Sequence, residues 1–322
     1  MMKKRAAAVL AMALAAGSLS LAACGGGNGG PEAEKTAAAE SREAGKSSAA
    51  AESQKTDPSA GEAADAQEET NQAAEGEETE LIVFAAASMT ETLNEIAGLY
   101  KEVAPNVTLT FNFDSSGTLK TQIEEGADCD LFISAGQKQM DQLDIQADAG
   151  VNTDGLDFVD GTTRLDLLEN RVTLCVPEGN PAGIESFDGL AQALTGEDIL
   201  MAMGNSDVPV GQYTQNILAY YGLGEEELAK AGKITYGTNV KEVTTQITEA
   251  SVDCGVVYCT DAFSAGLSPV DYATAEMCGQ VIYPAAVLKV SSHPEEAKAF
   301  LDYLSQEEAM AVFENVGFSP VE

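Results

Sequence analysis

From residue 81 onward, short apolar runs of strand length alternate with stretches whose apolar residues recur at helical spacing. That alternation leaves few folds open to the chain. Residues 81–86 read as a short apolar strand, and from Thr90 onward Leu93, Ile96, Ala97 and Tyr100 mark one face of a helix. Residues 107–113 read as a second strand, a helix carrying Leu119 and Ile123 follows, and 130–134 forms a third strand. A second series opens at 171–176, with later strands at 234–236 and 255–258. Residues 281–290 are extended again. Two helices close the chain, one with Ala297, Phe300, Leu301 and Leu304 on a face, the other with Ala309, Val312, Phe313 and Val316. The pattern predicts an α/β fold with mostly parallel sheets, and the 242 residues from 81 to 322 favour two sheets over one. Such folds bind ligands beyond the carboxyl ends of their strands or between domains.

The chain upstream is built differently. Residues 25–80 contain no Leu, Ile, Val, Met or aromatic residue, so they cannot bury enough apolar surface to offset their ordering entropy. They read as a solvated linker with a reach of roughly 40 Å. Lys3, Lys4 and Arg5 precede an apolar run over 6–23, which is the pattern of a removed signal peptide. That run ends Leu21-Ala22-Ala23-Cys24, which resembles the lipobox of bacterial lipoproteins. The resemblance implies cleavage after residue 23, a lipid on Cys24, and a mature protein tethered to the outer side of the cytoplasmic membrane.

Charge and histidine content narrow the chemistry. Lys and Arg number 17 against 52 Asp and Glu, a formal charge of −35, and residues 81–322 alone carry 38 acidic and 10 basic side chains. Nucleic acid and anionic membrane surfaces are excluded as partners by such a field. A small anion is not, because a buried anion site is built from local dipoles. The one histidine, His293 in Ser292-His293-Pro294, reads as a surface residue at a helix start. Ser-His-Asp, Cys-His and histidine-rich zinc sites would all depend on it, and Ser88 lacks a Gly-x-Ser-x-Gly elbow, so no catalytic residue is assigned. Asp128-Cys129-Asp130 is too sparse for a metal loop, and Glu225-Glu226-Glu227 reads as a helix start favoured by its dipole. No resident metal or cofactor is expected. Besides Cys24, five cysteines remain (Cys129, Cys175, Cys254, Cys259 and Cys278), so at least one stays unpaired. Cys254 and Cys259, five apart in one apolar run, point to opposite faces of a regular strand, which argues against a disulfide between them.

The chemistry gathers at strand-to-helix turns. Ser88-Met89-Thr90-Glu91 has a capping-box pattern, and Ser115-Ser116-Gly117-Thr118 leads from strand into helix. Val208-Pro209-Val210-Gly211 and Gly237-Thr238-Asn239-Val240 do the same later in the chain. Each start exposes unpaired backbone N–H groups at the positive end of a helix dipole, and several converging would hold an anion.

The ordered set of segments resembles a known family. Phe84-Ala85-Ala86-Ala87-Ser88, Ser115-Ser116-Gly117-Thr118-Leu119, Asp130-Leu131-Phe132-Ile133-Ser134-Ala135, Val208-Pro209-Val210-Gly211-Gln212-Tyr213, Gly255-Val256-Val257-Tyr258 and Tyr283-Pro284-Ala285-Ala286-Val287 are similar to segments of the periplasmic molybdate-binding proteins of ABC transporters. The resemblance spans nearly all of 81–322. It implies a two-lobed type II periplasmic-binding-protein fold with the ligand in the inter-lobe cleft. Residues 81–163 with 281–322 would form one lobe and 164–280 the other. It further implies molybdate or tungstate as ligand, a membrane permease as partner, and a monomer. Carried over by position, Ser88 and Ser116 would each give a hydroxyl and a backbone N–H, Val210 and Val240 backbone N–H groups, and Tyr258 its phenol. A fully deprotonated dianion has acceptors only and suits such a set. Protonated phosphate would bring an unmet donor, penalised by ~1–3 kcal/mol.

Two residues depart from this pattern. Asp114 stands directly before the serine pair, and Asp207 three before Val210. As turn residues in solvent they are neutral to the reading. A carboxylate facing the cleft would instead repel a dianion and accept from a protonated oxyanion, which keeps phosphate, or sulfate as a related oxyanion, as the alternative. An acidic metal-binding surface lipoprotein is the remaining one.

Overall fold

The computed structural model describes residues 78–321. The expected signal peptide at 1–23, the lipid site at Cys24 and nearly all of the 24–80 linker lie outside the described residues. The expected linker boundary at 80 shifts by two residues, because Thr79 and Glu80 already pair with Val107 and Thr108.

The first lobe opens with β1 (Thr79–Ala86), a single 3-10 turn at Ala87–Met89, α1 (Thr90–Val103), β2 (Val107–Asp114), α2 (Ser116–Glu124), β3 (Leu131–Ile133), α3 (Gln137–Asp141) and β4 (Leu165–Asn170). The chain then crosses at Arg171 into β5 (Val172–Cys175), α4 (Phe187–Gly196), β6 (Met201–Gly204), α5 (Pro209–Tyr220), α6 (Glu225–Lys230), β7 (Ile234–Gly237) and α7 (Val240–Thr248). The second lobe ends with β8 (Cys254–Tyr258), α8 (Cys259–Ser264), β9 (Pro269–Tyr272) and α9 (Ala275–Cys278). The return brings β10 (Val281–Val287), α10 (Pro294–Leu304), α11 (Glu307–Val316) and β11 (Ser319–Pro320).

Two sheets result, ordered β11-β4-β10-β3-β1-β2 and β7-β6-β8-β5-β9. The expectation of mostly parallel pairing is corrected. β1–β2, β1–β3, β6–β7 and β6–β8 are parallel, but β10 and β5 run antiparallel to their neighbours. These are the strands that carry the chain into a sheet from the other lobe, so they enter from the opposite end. The expected start of the second lobe at 164 is corrected too. β4 pairs with β10 and β11 in the first sheet, and the switch falls between Asn170 and Val172.

β1 shows why the sheet is covered on both faces. Leu81, Val83 and Ala85 point into the main core with Leu93 and Ile96 of α1, while Phe84 packs with Leu119 and Ile123 of α2. Burial of both alternate sets requires a helix on each side, which α1 and α2 supply. This packing also aligns the carboxyl ends of β1 and β2 with the starts of the helices that follow them.

Candidate functional site

The parallel strands β1, β2, β6, β7 and β8 each end at a helix start, and those starts meet between the two sheets. There they line a small, narrow cavity of about 10 Å³. Its wall includes Ser88, Ser116, Val210, Val240 and Tyr258, all five residues singled out by sequence, together with Asp114, Ser115 and Ala135. Among the described residues, no Lys, Arg or His lines it.

Local chemistry explains each placement. Ser115 caps α2, its hydroxyl accepting from the Thr118 N–H at 3.1 Å, which leaves Ser116 as the first helical residue. Asn239 caps α7 by accepting from the Glu242 N–H at 3.1 Å, leaving Val240 first. Pro209 occupies the first position of α5, where its missing N–H costs nothing, and Val210 follows. As first-turn residues, Ser116, Val210 and Val240 have amides without an intrahelical acceptor. α5 lies close beneath β6, since a Cβ on Gly211 would meet the Gly204 carbonyl oxygen at 2.3 Å. Tyr258 ends β8 in extended conformation and starts α8.

The expected capping box at Ser88 does not form. Residues 87–89 make a 3-10 turn, α1 starts at Thr90 without a side-chain cap, and the Ser88 hydroxyl lies 2.9 Å from the Tyr283 hydroxyl instead. Ser116 accepts from the Ala135 N–H at 2.9 Å, so its own O–H is free for a ligand. Tyr258 donates to the Ala135 carbonyl at 3.4 Å, a long bond that a better acceptor would displace. Burial raises the Tyr258 and Tyr283 phenols well above the ordinary value of 10.0, so both stay protonated and neutral.

The two flagged carboxylates separate. Asp207 is exposed and lines the neighbouring groove rather than the cavity. Asp114 does line the cavity. One of its oxygens accepts from the Ser115 N–H at 2.7 Å and from Asn239 of the other lobe at 3.4 Å. Lys120 turns to Glu124 at 2.6 Å. The lobes also touch through Lys241 of α7, which reaches Glu91 of α1 at 2.6 Å. All five described cysteines are free and buried, Cys254 and Cys259 included. Sequence reasoning missed Asn170 and the part played by Tyr283, which lie 113 residues apart yet hydrogen-bond at 3.1 Å. No local pattern signals that pair.

Two α/β lobes joined by crossing strands, with helix starts converging on one small cavity, are the architecture of a two-lobed binding-protein fold. The chain matches the family model for bacterial extracellular solute-binding proteins over residues 81–319, and it belongs to that family. It is 35% identical over 240 residues to YvgL of Bacillus subtilis, named as a substrate-binding lipoprotein of an ABC transporter, covering 74% of this chain and 86% of that one. It is 31% identical over 249 residues to the molybdate-binding protein ModA of Escherichia coli, covering 76% and 90%. The periplasmic molybdate-binding protein of Azotobacter vinelandii has the same fold, with a TM-score of 0.63 at 21% identity over 75% of this chain and 100% of that one. The type II two-lobed fold implied by sequence is therefore present.

Proposed function

We propose that this chain captures molybdate, and tungstate with it, outside the cell and delivers it to the permease of an ABC importer, held to the membrane by a lipid on Cys24. The observation that carries the reading is the cavity wall. Ser88, Ser116 and Tyr258, which carry hydroxyls, and Val210 and Val240, which offer first-turn amides, line it, with no basic side chain among the described residues. Neutral donors at helix starts bind an anion through dipoles and charge-assisted hydrogen bonds. A donor set of this kind prefers a dianion that needs no acceptor in return. Relatives named for molybdate binding support the same choice.

A second reading, phosphate, rests on Asp114 in the cavity wall. A free carboxylate oxygen there would accept from a protonated oxyanion. Its engagement with Ser115 and Asn239 favours a structural part, closing the lobes over the ligand.

Calorimetric titration of the purified chain with molybdate, tungstate, sulfate and phosphate at neutral pH tests the assignment. Tight binding of the first two and weak binding of the others is the expected result. Ser116→Ala should then weaken molybdate by roughly 10- to 100-fold, the worth of one hydrogen bond to a charged group. Preference for phosphate would overturn the molybdate reading in favour of Asp114 as an acceptor.

A further inference from the structure

Behind the cavity wall lies a second layer of polar groups that no ligand would touch. Asn170, the last residue of β4 before the crossing, is buried and points its amide at two hydroxyls. Its Nδ2 donates to Tyr283 Oη at 3.1 Å and to Thr260 Oγ1 at 3.0 Å. Its Oδ1 accepts from the Arg171 N–H at 2.7 Å and from the Cys259 thiol at 3.2 Å, which fixes the amide's orientation. Tyr283 sits on β10 at an irregularity in its pairing with β4, fully buried. Its oxygen accepts from Asn170, and Ser88 Oγ stands 2.9 Å away.

A phenol has one proton, and a serine hydroxyl has one proton with two acceptor lone pairs. The 2.9 Å pair admits either hydroxyl as donor, and Asn170, already donating to the Tyr283 oxygen, favours the direction in which the Tyr283 proton goes to Ser88 Oγ. Ser88 then has no reason to donate back, and its own proton turns to the cavity. We infer that Tyr283, aligned by Asn170, is a positioning residue that holds Ser88 as a donor toward the cavity and thereby sets selectivity for fully deprotonated oxyanions. The inference deepens the oxyanion reading and rests on it. Without the Tyr283 proton, Ser88 is free to rotate and accept from a protonated ligand, so the site would lose discrimination as well as affinity. A Ser116 hydroxyl fixed by the Ala135 N–H follows the same logic at the end of the neighbouring strand. A residue that only supported packing would change neither selectivity nor the coupling to Ser88.

The test is a double-mutant cycle of Tyr283→Phe and Ser88→Ala, with calorimetric affinities for molybdate and phosphate. Tyr283→Phe keeps the ring against Tyr258 and Phe318, at centroid distances of 5.7 and 5.2 Å, so the fold should survive. It is expected to weaken molybdate about ten-fold. It should also narrow the molybdate-to-phosphate ratio, and the double variant should bind no more weakly than Ser88→Ala alone. Additive losses, or an unchanged ratio in Tyr283→Phe, would overturn the relay while leaving the oxyanion assignment standing. If the unaltered protein bound none of these oxyanions, the assignment itself would fail. The relay would still be read from the Tyr283 hydroxyl proton by nuclear magnetic resonance. That signal should shift in Ser88→Ala, and a signal indifferent to that change would end the inference.

Discussion

Asp261 is an anomaly among the acidic residues of this chain, and its consequences are those of one side chain. It is buried on α8 with neither carboxylate oxygen hydrogen-bonded among the described residues. Lys241 approaches to 3.7 Å, an ion pair too long for a hydrogen bond. Burial raises its carboxyl to about 7, with Lys241 opposing the shift and Glu91 adding to it. The folded value lies above the ordinary 3.8, so the folded state holds the extra proton between about pH 4 and pH 7. Asp261 therefore costs increasing stability as pH rises through that window, on the order of 4 kcal/mol once it is fully ionised. Asp261→Asn should unfold in denaturant much like the unaltered protein near pH 4 and be more stable at pH 8. Asp160, whose carboxyl is lowered by Thr162, acts in the opposite direction but equally in both proteins. A difference that stayed constant from pH 4 to pH 8 would show that Asp261 does not carry this proton.

At the scale of elements, α2 shows a helix shaped by what it faces across the cleft. Gly117 lies inside this helix, where alanine would ordinarily favour the helical state by about 1 kcal/mol. Yet a Cβ there would lie 2.1 Å from the Asp207 carbonyl oxygen of the second lobe. Gly117→Ala should thus leave thermal stability equal or higher while weakening the ligand at least about ten-fold, because the lobes no longer close. Calorimetry paired with a melting curve checks this, and unchanged affinity would mean that closure tolerates the methyl group. The same distinction between local and distant causes explains what the sequence made legible. The starts of α1 at Thr90 and α7 at Val240 were readable because apolar periodicity and an Asn cap are local signals. β4 was not, since Asp166 and Glu169 interrupt its apolar pattern and its place is set by β10, more than a hundred residues on. The capping box at Ser88 misled for the same reason, because Tyr283 competes for that hydroxyl from a distant strand. Converging helix starts were legible individually, and their meeting point came only with the two sheets.

The whole molecule carries a strong acidic excess, while the solute proposed for it is negatively charged. Several of its few cations are neutralised beside their neighbours, Lys230 by Glu226, Lys298 by Asp302, and Arg164 by Asp141 and Asp144. The long-range field is then that of the acidic excess, 38 acidic against 10 basic side chains over 81–322. The attraction comes from helix starts whose dipole effect fades within a turn. Capture of the proposed dianion would therefore begin against repulsion and become favourable only at the cavity. Raising sodium chloride from about 10 mM to about 150 mM shortens the screening length from ~30 Å to ~8 Å. Repulsion at a distance is screened, while the short hydrogen bonds inside the cavity are not. The association rate for molybdate should rise several-fold over that range and the dissociation rate should change little. The chain has 9 Tyr and no Trp, so stopped-flow tyrosine fluorescence can follow the reaction, with Tyr258 in the cavity wall as reporter. A rate that fell with salt would instead mean that the converging helix starts project a positive potential into solvent strong enough to outweigh the acidic surface.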